Sequence, residues 1–298
     1  MKLFYYQRPD GLPNFGDQLN CWLWPRLLPG FLDEDETIVF IGIGTLLNHL
    51  LPQRISNAKT VIVFSTGAGY ESRLRQIPQH WKIYCVRGSL SAKTLGLSKN
   101  LAIADAGILV RKFYQSDSLK SYQYAYMPHI NHAKFSASII QAVCESLGWK
   151  YIDPREPIEQ ILTTITKTKV LLAEAMHGAI IADALRVPWI PIITSPRILK
   201  SKWQDWCSSI HCTYKPYHLS PLVPGYPRYA RGMRSSIAAS FYWSQSLQQF
   251  PIIAPNCFEK QLIKVSKMAT PNLSLDTKIE QLTTQLEEKL EQLKFDFG

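Results

Sequence analysis

A histidine placed where a strand hands over to a helix can meet an anion and move a proton, and His177 is such a residue. It lies in AEAMHGAIIADALRVPW (residues 173–189). Residues 170–173 read as a buried strand, and residues 178–185 as a short helix with Ile181, Ala184 and Leu185 on one face. The unpaired N–H groups at a helix start, together with the positive end of its dipole, favour a phosphate or a carboxylate. The same placement suits a histidine that only caps the turn, and spacing alone leaves both readings open. Glu174 and Asp105 stand beside strand ends. Each fits a base that assists or orients His177, and equally an ordinary cap or ion-pair partner. His129 and His132, in PHINH, are spaced to bring two imidazoles near one another. No Cys or further His stands nearby to complete a metal set, so His129 is expected to line a cleft and no metal site is expected.

The elements that must position these groups alternate. Residues 2–6, 37–41, 60–65, 82–87 and 101–104 read as strands, most of them ending in Gly, Ser or Asp, with helical patterns between. Strands separated by helices imply parallel βαβ units whose ligands lie off the strand C-termini, which draws attention to the loops holding Gly16, Gly44, Gly67 and Gly69. A second series follows the polar stretch 115–123: a strand over 124–128, a helix over 135–147, a strand over 150–153, a helix over 158–166, the His177 unit and a strand over 189–193. Two α/β domains with a cleft between them is the consistent expectation. After residue 210 come a proline-rich loop (215–227) and helices near 233–249, 257–268 and 276–293. In the last, Ile279, Leu282, Leu286, Leu290 and Leu293 form an apolar stripe suited to packing or to a short coiled-coil contact. The expected boundaries are 1–115, 116–230 and a helical extension over 231–298.

A chain of 298 residues, 46% hydrophobic and 11% aromatic, has the material for two ordinary cores and is neither disordered nor fibrous. Its formal charge of +10 suits nucleic acid, an anionic membrane surface or anionic small substrates alike. Distribution narrows the choice. Arg186, Arg197, Lys200, Lys202, Lys215, Arg228, Arg231 and Arg234 follow the His177 helix with one nearby acid, Asp205, which reads as a basic approach to the site or as a solvated face. Nucleic acid has only net charge in its favour and is not expected as a partner. The six scattered cysteines read as buried thiols of a reducing compartment. The N-terminus is too short and polar for a signal peptide, and no apolar run reaches the roughly 18–20 residues of a membrane span. A cytoplasmic protein is expected, with any membrane contact peripheral.

The segment around His177 is preceded, in order, by NFGDQLN (14–20), GIGTLL (42–47), FSTGAGY (64–70), VRGSLSAKTLGL (86–97) and ADAGIL (104–109). Together these resemble the polysaccharide pyruvyl transferase family. The resemblance implies transfer of the enolpyruvyl group of phosphoenolpyruvate onto a sugar as a cyclic ketal. It also implies two Rossmann-like α/β domains with parallel sheets in a GT-B-like arrangement, the N-terminal one on the acceptor side and the C-terminal one on the donor side. The acceptor would be a residue of an exopolysaccharide or of its lipid-linked precursor, with peripheral contact at the inner membrane face. No cofactor beyond the donor substrate is implied; a divalent cation requirement and the oligomeric state stay open.

His177 is then the proton-transfer residue, beside Gly178. The commonest family pattern has Arg two residues before the His, where this chain has Ala175. Another cation must replace that fork, and Arg87, matching a V-R-x-x-x-S segment, ranks first. Lys200 and Lys202 rank second and Arg197 last. Asn14, Gly16 and Asp17 match an N-x-G-D element, with Asp17 either a helix N-cap or an acceptor contact, and Gly67 falls in a matching glycine loop. The alternatives are a nucleotide-sugar glycosyltransferase of the same fold and a non-catalytic carbohydrate-binding relative.

Overall fold

A computed structural model of the chain describes residues 1–69, 72–74, 76–115, 119–222 and 254–298. The helix expected over 233–249, the end of the proline-rich loop, and Arg228, Arg231 and Arg234 lie outside the described residues. In chain order the first series is β1 (Lys2–Phe4), α1 (Phe15–Leu27), β2 (Ile38–Ile41), α2 (Leu51–Arg54), β3 (Thr60–Phe64), β4 (Trp81–Cys85) and α3 (Ser89–Leu95). The second is β5 (Tyr122–Met127), α4 (Ile130–Ser146), β6 (Lys150–Tyr151), α5 (Ile158–Thr166), β7 (Thr168–Ala173), α6 (Met176–Ala184) and β8 (Trp189–Ile193). Then follow α7 (Lys200–Ser209), β9 (Tyr217–His218), α8 (Pro255–Met268) and α9 (Asp276–Phe297). The protein is thus α/β with two parallel sheets.

The chain forms two compact units: Met1–Tyr114, Lys200–Tyr214 and Ser274–Gly298 in the first, Gln115–Leu199 and Lys215–Leu273 in the second. The helices expected to form one C-terminal extension are therefore shared out, α8 to the second unit and α9 to the first. The first unit holds a parallel sheet of order β1-β2-β3-β4. Its inner strands, IVFI and TVIVF, are near-continuous apolar runs, as parallel strands covered on both faces require. Residues 101–104, expected as a fifth strand, make only a single bridge, Val86 to Ala102. A short 3-10 turn ends at Leu101, and Asp105 caps another, Ala106–Lys112, so too little extended chain is left to pair.

The second unit holds a parallel sheet of order β6-β5-β7-β8-β9. Because β5 is followed by β6 on one side and β7 on the other, the loops leaving β5 and β7 diverge, and the strand order reverses there. Phe258, Leu262 and Val265 of α8 join Tyr126, Ile140 and Leu172 in this unit's core. Helix α4 starts five residues before the expected 135–147, since His129 supplies the cap: its Nδ1 accepts the Asn131 N–H at 3.3 Å. Among the described residues no helix is long and apolar enough to cross a membrane.

The stripe on α9 is packing surface. Ile279, Leu282, Leu286, Leu290 and Leu293 are all buried, within the first unit, which also ties the helix down through Tyr84 to Asp296 and Lys112 to Glu287. Leu286→Ala should lower the unfolding free energy by about 2–5 kcal/mol, a shift that denaturant titration of parent and variant measures.

Candidate functional site

In the first unit the loops after β2, β3 and β4 converge on one side chain. Arg87, fully buried, donates Nε to Asp205 Oδ2 at 3.0 Å and Nη1 to the Gly44 carbonyl at 3.1 Å and Thr45 Oγ1 at 2.8 Å. Asp205, on α7, also accepts the Ser91 N–H at 2.9 Å and the Ser91 hydroxyl at 2.5 Å. The loops are stitched further by the backbone, Gly67 N–H to the Gly44 carbonyl at 3.0 Å and Leu47 N–H to the Gly67 carbonyl at 3.1 Å. Gly67 has no room for a side chain: a Cβ there would stand 2.1 Å from Arg87 Nη2. Gly88 is equally close to Asp205, at 2.0 Å from its carbonyl oxygen. Arg87 and Gly67 accordingly hold the loops together from inside.

The N-terminal element is built in the same way. Asn14 is the N-cap residue of α1 and Asp17 sits in its first turn, accepting the Asn14 amide at 2.7 Å, so the cap position belongs to Asn14 and not to Asp17. Gly16 is buried behind them. The working residue of the motif is Asn20, which sequence reasoning missed. Fully buried, it accepts from Ile43 N–H and Trp24 Nε1, each at 2.9 Å, and donates to the Ile43 carbonyl at 3.0 Å. Its place on the buried face of a helix, one turn before Trp24, was the available signal. Asp105 accepts the Gly107 N–H at 3.0 Å as a cap. Lys200 is exposed and Lys202 half-buried on α7, whose inward face carries Trp203, Asp205 and Trp206. The one acid expected to face the basic segment is thus Arg87's buried partner.

In the second unit the C-terminal edge of the sheet is organised around Glu174, fully enclosed just after β7. Its Oε2 accepts Tyr126 Oη at 3.1 Å from β5 and the His129 N–H at 3.0 Å from the α4 start, and Oε1 accepts the Thr194 hydroxyl from the end of β8. His132 Nδ1 lies 3.0 Å from Oε2, while its Nε2 accepts the Leu222 N–H at 3.2 Å. That second contact assigns the ring proton to Nδ1, which donates to Glu174. Burial opposes ionisation of Glu174, but His132, His129 and Thr194 outweigh it and hold its carboxyl at about 2. Four donors from β5, α4 and β8 therefore fasten the carboxylate three residues before His177.

His177 is the second residue of α6, half-buried, with Ala175 at the N-cap. Gly178 lets the helix close on the sheet: a Cβ there would meet Met127 Sδ at 2.6 Å. Arg197 follows β8, half-buried, its N–H donating to Ser195 Oγ at 3.2 Å. His177, Gly178, Glu174, His129 and Arg197 share the second unit; Asn14, Gly16, Asp17, Gly67, Arg87, Asp105, Lys200 and Lys202 belong to the first. Among the described residues, no group of three or more His, Cys, Asp or Glu side chains is arranged to hold a metal ion.

A sequence profile of polysaccharide pyruvyl transferases matches residues 18–196, more than half of the chain. This chain belongs to that family. It is also 38% identical over 218 residues to the succinoglycan biosynthesis protein ExoV of Rhizobium meliloti (strain 1021), an alignment that covers 72% of this chain and 67% of that protein. The matched span of this polysaccharide pyruvyl transferase family member runs from the first turns of α1 to just past β8. It includes both buried hubs except Asp205, and it includes His177.

Breaking one member of a buried ion pair leaves the other charge uncompensated. Arg87→Ala should cost about 3 kcal/mol of stability, near the low end for such pairs because Ser91 still bonds Asp205, and thermal and denaturant unfolding measure it. The Glu174 carboxyl ionises more readily folded than unfolded, so its contribution is complete above the ordinary 4.5 and fades as pH falls toward about 2. The stability difference between the parent and Glu174→Gln should accordingly be constant above about pH 5 and shrink over that window, in unfolding curves taken at stepped pH.

Proposed function

We propose that the protein transfers the pyruvyl group of phosphoenolpyruvate to a saccharide of an exopolysaccharide, or of its lipid-linked precursor, as a ketal. The observation that carries the reading is His177, in a His-Gly element within the family match, on the first turn of a helix that starts where the strand order of its sheet reverses. The name of the Rhizobium protein, with its reference to succinoglycan biosynthesis, supports a polysaccharide acceptor.

In this reaction the donor methylene carbon gains a proton and becomes a methyl group, while two sugar hydroxyl oxygens bond to the carbon that bore the phosphate. Of the two protons those hydroxyls lose, one balances the methyl group and the other leaves on phosphate. His177 is the group of this reading that moves a proton, and the α6 N-terminus favours the anionic donor. Arg197 is the cation we assign to the donor in place of the arginine absent at Ala175. It is half-buried just after β8 in the unit that carries His177, whereas Arg87 belongs to the first unit. A guanidinium suits the fork geometry of a carboxylate or phosphate.

His177→Gln keeps a hydrogen-bonding side chain but exchanges no proton near neutral pH, so it should cut turnover by about 10²–10⁴-fold while leaving donor affinity nearly unchanged. Arg197→Ala should show the converse, a donor affinity about tenfold or more weaker. The measurement is phosphate release from phosphoenolpyruvate with a saccharide panel, the ketal methyl signal by NMR, and calorimetry for affinity. A Gln variant that turns over within a few-fold of the parent would remove His177 from the chemistry. Thermal stabilisation by UDP- or GDP-sugars and not by phosphoenolpyruvate would replace the reading with glycosyl transfer.

A further inference from the structure

The second unit has a cavity that the chemistry at His177 does not use. It lies along β6, the edge strand, as an open groove of about 310 Å³, the low end of the range for small-molecule sites. Its wall includes Glu145 of α4, Trp149, Tyr151, Asp153, Arg155 and Glu156. These groups are held in place. Trp149 lies against Tyr124, ring centroids 4.7 Å apart, and Arg155 grips Asp153 with two guanidinium nitrogens, Nε at 2.8 Å from Oδ1. Tyr151 Oη donates to the other oxygen, Oδ2, at 3.1 Å, and Gln141, one turn before Glu145, donates to that carboxylate at 2.9 Å.

The chemistry of this wall selects its ligand class. Acids and bases nearly balance, Lys150 and Arg155 against Glu145, Asp153 and Glu156, and the tightest pair is neutralised internally. No unopposed cation waits for a phosphate, and among the described residues the carboxylates form no metal-binding group. What remains is a wall of polar side chains, several of them fixed by one another, beside an indole. Such a wall matches a molecule with many hydroxyls and no net charge, whose C–H faces can lie against an aromatic ring.

We propose that the cavity along β6 binds a neutral saccharide residue. This goes beyond pyruvyl transfer: an extended acceptor would be held at the β6 edge by one sugar while another reacts, and the sugar site stands whether or not His177 moves the proton.

The test is saturation-transfer NMR with cellobiose, lactose and maltose as probes and no donor present, so that a failure of the pyruvyl-transfer reading leaves the readout untouched. The parent and His177→Gln should both transfer saturation to ring protons of at least one disaccharide. Trp149→Ala should weaken that binding about tenfold. A Gln141→Ala, Glu145→Ala double variant should do the same, and because both side chains are exposed it keeps the result interpretable if Trp149→Ala fails to fold. Absence of transfer from all three disaccharides to the folded parent would overturn the proposal. So would transfer that survives the double variant undiminished, which would assign the sugar to another surface.

Discussion

A parallel sheet delivers its strand ends to loops, and polar groups enclosed by those loops must find partners inside the protein or cost stability. In each unit one buried charged side chain gathers several of these ends. In the first, the Arg87 guanidinium reaches two loop groups and Asp205, and the loops after β2, β3 and β4 settle around it. In the second, the Glu174 carboxylate takes donors from β5, α4 and β8. The signs are opposite and the logic is the same: a charge with many bonding directions ties the strand ends to the loops and helices beyond them.

The glycines follow from this arrangement. Gly67 and Gly88 stand within 2.1 Å, measured from a hypothetical Cβ, of Arg87 and Asp205, and Gly42 stands as close to the Trp24 indole nitrogen that Asn20 binds. Loops that crowd a large buried polar side chain need backbone with nothing on it. Gly44, at φ +141, adds a conformation that side chains rarely adopt, and its carbonyl serves both Gly67 and Arg87. Glycine-rich turns at strand ends suggest ligand approach when read in sequence; here several of them provide clearance.

Much of the fold was legible because it is local. The helix over 158–166 and the strand over 189–193 have the ends that periodicity gives, and the α9 stripe is buried as its spacing requires. His177 is on the first turn of its helix, as the strand-to-helix change implied. The hubs were not legible, because pairing depends on separations that no pattern encodes. Arg87 and Asp205 are 118 residues apart, and His132, weighed only as half of a histidine pair, meets Glu174 at a separation of 42. Nor does an amphipathic stripe say which core it covers, so α7 and α9 gave no sign that they complete the first unit.

That interleaving has a consequence for how the protein is made. As the chain leaves the ribosome, β1 to β4 emerge long before α7 and α9, and the second sheet is synthesised in the interval. Until residue 205 is available the charge of Arg87 has no counter-ion to enter the interior with, and β4 waits longer still for α9, the helix that packs against it. The first unit is therefore begun first and finished last, while Gln115–Leu199 can assemble most of its own sheet without waiting. Domains usually complete themselves in the order they are synthesised; here the order of completion is inverted for the half that carries the N-terminus.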